Sequence, residues 1–139
     1  MKRERMIALL VILTVAPILG VGALEATVGS VRGTAEYRVG TAGSWHQLRP
    51  GMTISENTFL ATGFRSSVEL EINETRVTLG ALTRTRVSEL GADDSALEAS
   101  FDLPYGRLRA QVKTDDGSAT DFRVRSPIST AAVRGTTFA

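Results

Sequence analysis

Beyond residue 24, apolar and polar residues alternate with a period of two through most of the chain. In "SSVELEI", Val68, Leu70 and Ile72 share one face while Glu69 and Glu71 share the other. "RVTL" repeats the pattern with Val77 and Leu79 inward, and the intervening Asn73-Glu74-Thr75 predicts a hairpin turn. "TRTRVSEL" directs Thr85 and Val87 inward and Arg84 and Arg86 outward. "GRLRAQVK" directs Leu108, Ala110 and Val112 inward, with Arg107, Arg109, Gln111 and Lys113 outward. "DFRVRSP" places Phe122 and Val124 inward and Arg123 and Arg125 outward. A helix through any of these stretches would bury arginine or glutamate, so half-buried antiparallel strands are predicted.

Turn chemistry separates the stretches. The breaks are Gly40–Gly43, Pro50-Gly51, Gly63, Gly80, Gly91–Ser95, Pro104–Gly106, Asp115-Asp116-Gly117 and Ser126-Pro127. Short strands with turns about every 8–12 residues predict an all-β fold. The expected form is a small antiparallel sandwich or roll, with a solenoid-like roll as the alternative. "ADDSALEA" (92–99) has room for one or two helical turns. Outward arginines and glutamates facing each other across strands contribute ~0.2–1 kcal/mol per pair and discourage edge-to-edge association. No aromatic residues interleave with the arginines as a single-strand nucleic-acid platform requires, so no nucleic-acid partner is expected.

The N-terminus, "MKRERMIALLVILTVAPILGVGALEA", has a different character. Lys2, Arg3 and Arg5 precede an uncharged stretch from Met6 to Leu24, and Val21 and Ala23 supply small residues at a cleavage site after Ala23. This layout predicts a signal peptide over 1–23 and an exported domain over 24–139, periplasmic or secreted. The alternative is an uncleaved inner-membrane anchor facing the periplasm, the only membrane contact expected. The full chain of 139 residues carries 16 basic and 15 acidic residues; without Lys2, Arg3, Arg5 and Glu4, 13 and 14 remain, a net charge of −1. The positive balance therefore belongs to the export segment and implies nothing about nucleic acid.

The candidate chemistry is thin. The chain has no cysteine and one histidine, His46, which excludes disulfides, thiolate metal sites and the common zinc constellations. Asp93-Asp94 and Asp115-Asp116-Gly117 lack the spacing of a calcium loop and fit solvated turns. No serine stands in a G-x-S-x-G elbow, and Glu69, Glu71 and Glu74 fit an outward stripe rather than a hydrolytic pair. No catalytic residues, metal or cofactor are expected. Trp45 and His46 follow the turn "GTAGS" and are candidate interaction residues that could stack on a sugar or planar ligand. The structural alternative puts Trp45 over the core with its N–H satisfied and His46 in an exposed loop.

"VRGT" occurs at Val31–Thr34 and again within "AVRGTTFA" at Val133–Thr136. Five elements in order point beyond this repeat. They are "GSVRGTAEYRVG" as an opening strand pair, "SWHQLRPGMTISENTFLATGFRSSVELEI", "VTLGALTRTRVSEL", "FDLPYGRLRAQV" and "DFRVRSPISTAAVRGTTF". Together they resemble the FecR domain, a bacterial extracytoplasmic family, with the last segment similar to that family's most diagnostic motif. The resemblance assigns the motif to Pro127, Val133, Arg134, Gly135, Thr136 and Phe138, in a structural role as a latch. The first VRGT is expected to be a chance match at the start of the first strand. An Asn73-Glu74-Thr75 turn stands where the family usually has aspartate-glycine.

The resemblance implies a non-catalytic interaction module for extracytoplasmic sensing or envelope association, with an unidentified envelope protein as partner. It also implies a domain that continues past Ala139. The best-known family members relay the state of an outer-membrane iron transporter to a sigma factor through a long cytoplasmic tail. Only five residues precede the apolar stretch here, so direct anti-sigma activity is not expected, and no iron ligand set is visible. Two alternatives remain: the periplasmic part of a transport-linked signalling system whose effector is another protein, or a carbohydrate or cell-wall binding domain.

Overall fold

The computed structural model describes residues 24–93, 96–112, 119–127 and 130–134. The export segment over 1–23 lies outside them. The fold is all-β: twelve strands and no helix among the described residues, hence none long and apolar enough to cross a membrane. The strands are β1 Ala26–Arg32, β2 Ala35–Val39, β3 His46–Gln47, β4 Thr53–Ile54, β5 Thr58–Thr62 and β6 Ser67–Ile72. They continue as β7 Thr75–Leu79, β8 Arg84–Asp93, β9 Ala96–Tyr105, β10 Leu108–Val112, β11 Ala119–Arg125 and β12 Thr130–Arg134. One sheet has the order β10-β7-β6-β1-β4 and the other β12-β11-β9-β8-β5-β2-β3.

The alternation seen in the sequence places the core. Val28, Val68, Leu70, Ile72, Val77 and Leu79 of the five-stranded sheet pack in one cluster with Leu60, Val87, Phe101 and Phe122 of the seven-stranded sheet. Leu108, Ala110, Val112 and Val124 pack against its margin. Outward, Arg76 bridges Glu69 at 3.2 Å and Glu71, its cross-strand neighbour, at 4.0 Å.

Seven connections carry the chain from one sheet to the other, and five of them share one end: β1 to β2, β3 to β4, β5 to β6, β7 to β8 and β9 to β10; β4 to β5 and β10 to β11 are the other two. At the shared end, chain segments approach too closely for ordinary side chains. A Cβ on Gly33 would lie 2.4 Å from Ser66 Oγ, one on Gly63 2.4 Å from Thr34 Oγ1, and one on Gly106 2.4 Å from Thr83 Cα. Gly33 and Gly106 also take φ of +74° and +107°, a region closed to most L-residues.

Buried hydroxyls tie neighbouring corners together. Ser66 Oγ accepts from Thr34 N at 2.9 Å. Thr62 Oγ1 donates to Gly80 O at 2.6 Å and accepts from Thr83 N at 2.9 Å. Thr83 Oγ1 accepts from Arg107 N at 2.9 Å. Backbone bonds Gly63 N to Thr34 O and Gly80 N to Arg107 O, both 2.9 Å, complete the series.

Several expectations need correction. The opening strand pair does not pair: β1 and β2 enter different sheets. The first VRGT ends β1 rather than starting it, and its Gly33 forms a corner. Residues 92–99 form no helical turn where described; Gly91↔Glu98, Ala92↔Leu97 and Asp93↔Ala96 are cross-strand pairs of a long hairpin. Gly91 lies inside β8 and Pro104 inside β9, so neither breaks its strand. Pro104 falls where the β8–β9 register shifts, a site that tolerates a missing donor. Thr75 is buried in β7, and the hairpin loop is Asn73-Glu74, with Asn73 at φ +51°. The second sheet is mixed, because β11 runs parallel to β9 from Ala119↔Ala96 to Arg125↔Asp102.

Gly106→Ala should lower unfolding stability by about 2–4 kcal/mol, through backbone strain and the Thr83 clash. Gly91→Ala, with nothing within 4 Å of the added Cβ and no positive φ, should raise it by about 0.5 kcal/mol. Urea unfolding of the two variants checks the contrast. Thr62→Val leaves Thr83 N and Gly80 O without their partner at the same shape, and should cost about 1–3 kcal/mol in the same measurement.

Candidate functional site

The outward face of the seven-stranded sheet carries a row of side chains set by strand register. Arg38 on β2 stands opposite Phe59 on β5, Phe59 opposite Arg86 on β8, and Arg86 opposite Asp102 on β9. Trp45, just before β3, caps the row. The Arg38 guanidinium lies 4.9 Å from the Trp45 ring centre and 4.9 Å from that of Phe59, so aromatic rings hold it from two sides. Arg86 sits 5.9 Å from the Phe59 ring and donates to Asp102 Oδ2 from Nε at 3.0 Å and Nη2 at 2.5 Å. Each cation–π contact of this kind contributes about 0.5–2 kcal/mol, more as water is excluded.

These residues, with Arg84 and Pro104, line a cleft of about 380 Å³. Its only carboxylate, Asp102, is engaged with Arg86. Arg38 has no ion pair among the described residues, and its Nε is buried without an acceptor. Thr85 Oγ1 donates to the Asp102 carbonyl at 2.9 Å, which anchors the irregular part of β9 beside the cleft.

One row further along the same face, Glu36, Ala61, Arg84 and Tyr105 stand in register. The small Ala61 leaves a hollow of about 250 Å³ there, and Arg84 lines both depressions. Leu82, Tyr105 and Phe64 near this hollow are exposed, Phe64 to 71%. In the other direction the face turns acidic. Glu89, Glu98 and Asp121 surround Arg123, whose Nη2 donates to Asp121 Oδ2 at 2.5 Å. That hydrogen bond, and then the Asp121 charge, raise the Arg123 pKa above the ordinary guanidinium value; Glu98 and Glu89 add to the rise, and desolvation opposes it.

The two groups of candidate residues lie far apart in the sheet order. Trp45 and His46 belong to the β3 edge, while Val133 and Arg134 lie on β12 at the opposite edge, paired with Phe122 and Asp121. Pro127 is exposed just after β11. Gly135, Thr136 and Phe138 lie outside the described residues, as do Asp94 and Asp115-Asp116-Gly117. Trp45 does not cover the core: it is 37% exposed and stacks on Arg38. His46 is exposed on β3, its ring 5.7 Å from that of Tyr37. Arg38, Phe59 and Asp102 were not singled out by the sequence. The available signal was Phe59, an aromatic residue at the outward position beside inward Leu60 in "TFLAT". Among the described residues, no three His, Asp or Glu side chains converge as metal ligands.

The fold and its outer face define a two-sheet all-β domain with an aromatic and cationic surface cleft. The family model described as "FecR protein" matches residues 58–139, and the chain belongs to that family. The match covers β5 to β12; β1 to β4, with Arg38 and Trp45, precede it. The family is one of sensing and signalling domains, regulatory rather than known as enzymatic, and its proteins are typically associated with the cell envelope. No curated protein and no solved structure matches the chain.

Removing the Arg86–Asp102 contact should have a modest and measurable effect, since both side chains are part-exposed. A double-mutant cycle with Arg86→Gln and Asp102→Asn should give a coupling of about 0.5–1 kcal/mol in urea unfolding, reduced at high salt.

Proposed function

We propose that the chain is an exported, non-catalytic interaction module of the FecR type, acting in extracytoplasmic sensing at the envelope through contact with another protein. Residues 1–23 serve as its signal peptide and 24–139 as its FecR-type domain. The observation that carries this reading is the cleft on the seven-stranded sheet. Aromatic and guanidinium side chains fit recognition, whereas its one carboxylate is held in an ion pair and its threonine donates to the backbone. A glycan-binding reading has less support, since Arg38 stacks against the Trp45 ring.

Cell fractionation and N-terminal sequencing should find the protein in the periplasm or envelope, beginning at Leu24. Photo-cross-linking from position 64, where Phe64 is exposed, should capture one discrete protein partner. Recovery spread evenly over cell-wall material would instead indicate an envelope scaffold and overturn the sensing role.

A further inference from the structure

We propose that the outward face of the seven-stranded sheet binds an extended acidic segment of the partner protein, laid along β5 and β8, with Arg38 and Arg84 taking carboxylates two residues apart. The inference rests on the reading that the module works by protein contact.

Charge supplies the first argument. The cleft brings three guanidinium groups together against one carboxylate, and that carboxylate is committed to Arg86. Arg38 and Arg84 have no ion pair among the described residues. Arg38 is pinned between two rings with Nε cut off from solvent and unpaired. A cation held in place and partly stripped of water gains more from a carboxylate than one free in solvent, and loses less side-chain freedom on binding it.

Spacing supplies the second. The cleft and the adjoining hollow belong to successive rows of one sheet face, Phe59 and Arg86 in one, Ala61 and Arg84 in the next. Rows two residues apart on antiparallel strands lie about 6.8 Å apart, the same distance that separates side chains i and i+2 of an extended peptide. One downward glutamate lays its methylenes on Phe59 and meets Arg38; the next reaches Arg84 over the space left by Ala61.

The third argument is direction. Glu89, Glu98 and Asp121 make the same face acidic farther along, so an acidic segment is repelled there and held at the Arg38 and Arg86 row; in the next row Glu36 stands on β2, on the far side of Ala61 from Arg84.

The test uses the chain recovered from cells and its sole tryptophan, Trp45, as the reporter. The probe is an acetylated, amidated eight-residue peptide alternating glutamate with threonine. It should change Trp45 emission saturably, with affinity falling as salt rises. Arg38→Gln and Arg84→Gln should each weaken binding about tenfold, as loss of a charge-assisted contact does. Arg109→Gln, on the exposed face of the other sheet, should leave it unchanged, with circular dichroism verifying the fold of all three variants. A peptide of the same composition with glutamates in adjacent pairs should bind more weakly.

The proposal is overturned by no saturable response, by equal binding of the glutamine-for-glutamate peptide, or by free glutamate binding as tightly as the peptide, which marks a small-anion site. Concentration-dependent dimerisation that Arg38→Gln abolishes also overturns it, because a second copy's acidic patch then occupies the face. If Arg38→Gln and Arg84→Gln capture the cellular partner undiminished, this inference falls while the interaction module stands. If the unaltered chain captures no protein, the module reading itself falls.

Discussion

A line of hydroxyl-to-backbone hydrogen bonds holds the corners of the two sheets in contact. Ser66, Thr62 and Thr83 each sit at a corner and each reaches into the next, while Gly33, Gly63 and Gly106 let the backbones close to that distance. Every corner must turn the chain out of one sheet within a few residues, which removes backbone donors and acceptors from their ladders. Buried backbone groups without partners are costly, so the turn requires side chains short enough to lie inside it and able both to give and to accept. Serine and threonine meet that requirement. The sheets can then face each other across a core of Val, Leu, Ile and Phe with no disulfide to join them.

This joinery also accounts for the character of the outer face. With the polar demands of the corners met from inside, outward residues of β2, β5, β8 and β9 are free of structural duty at the turns. They align in rows across β2, β5 and β8 because the register is continuous there, and the rows extend to β9 across a register shift between Arg84 and Arg86. Arg38 and Phe59, which local alternation alone would treat as ordinary outward positions, become neighbours of Trp45 and Arg86. A charged group between two rings and a salt bridge beside it then share one surface with very different electrostatic demands. Arg86 is neutralised locally; Arg38 is not.

The inward face was legible in the sequence because alternation is local: Val68, Leu70, Ile72, Val77, Leu79, Thr85 and Val87 are all buried. The glycines marked breaks, but not that Gly63 meets Thr34 or that Gly106 meets Thr83, contacts between residues distant in the chain. Pro104 misled because an irregular register absorbs a poor strand former without ending the strand, whereas Gly91 keeps regular register with Glu98 in a long hairpin that outweighs one weak strand former. The parallel partnership of β9 and β11 left no local trace, since each strand shows the same alternation whichever direction its neighbour runs. Only the alternative that put Trp45 over the core fails, because a lone aromatic after a glycine-rich turn carries no mark of the arginine that stacks on it.

Because β11 lies parallel to β9, the chain must leave the seven-stranded sheet after Tyr105, traverse β10 on the far side of the core, and return before β11 can add. Strands β11 and β12 thus join the sheet only through β9. Without that leaf, Phe101 would lack the ring of Phe122 that rests 5.5 Å from it, and β9 would be a bare edge. The last two strands therefore act as a cover for the protein's own margin, and a chain cut short after β10 would be open to adhesion along it.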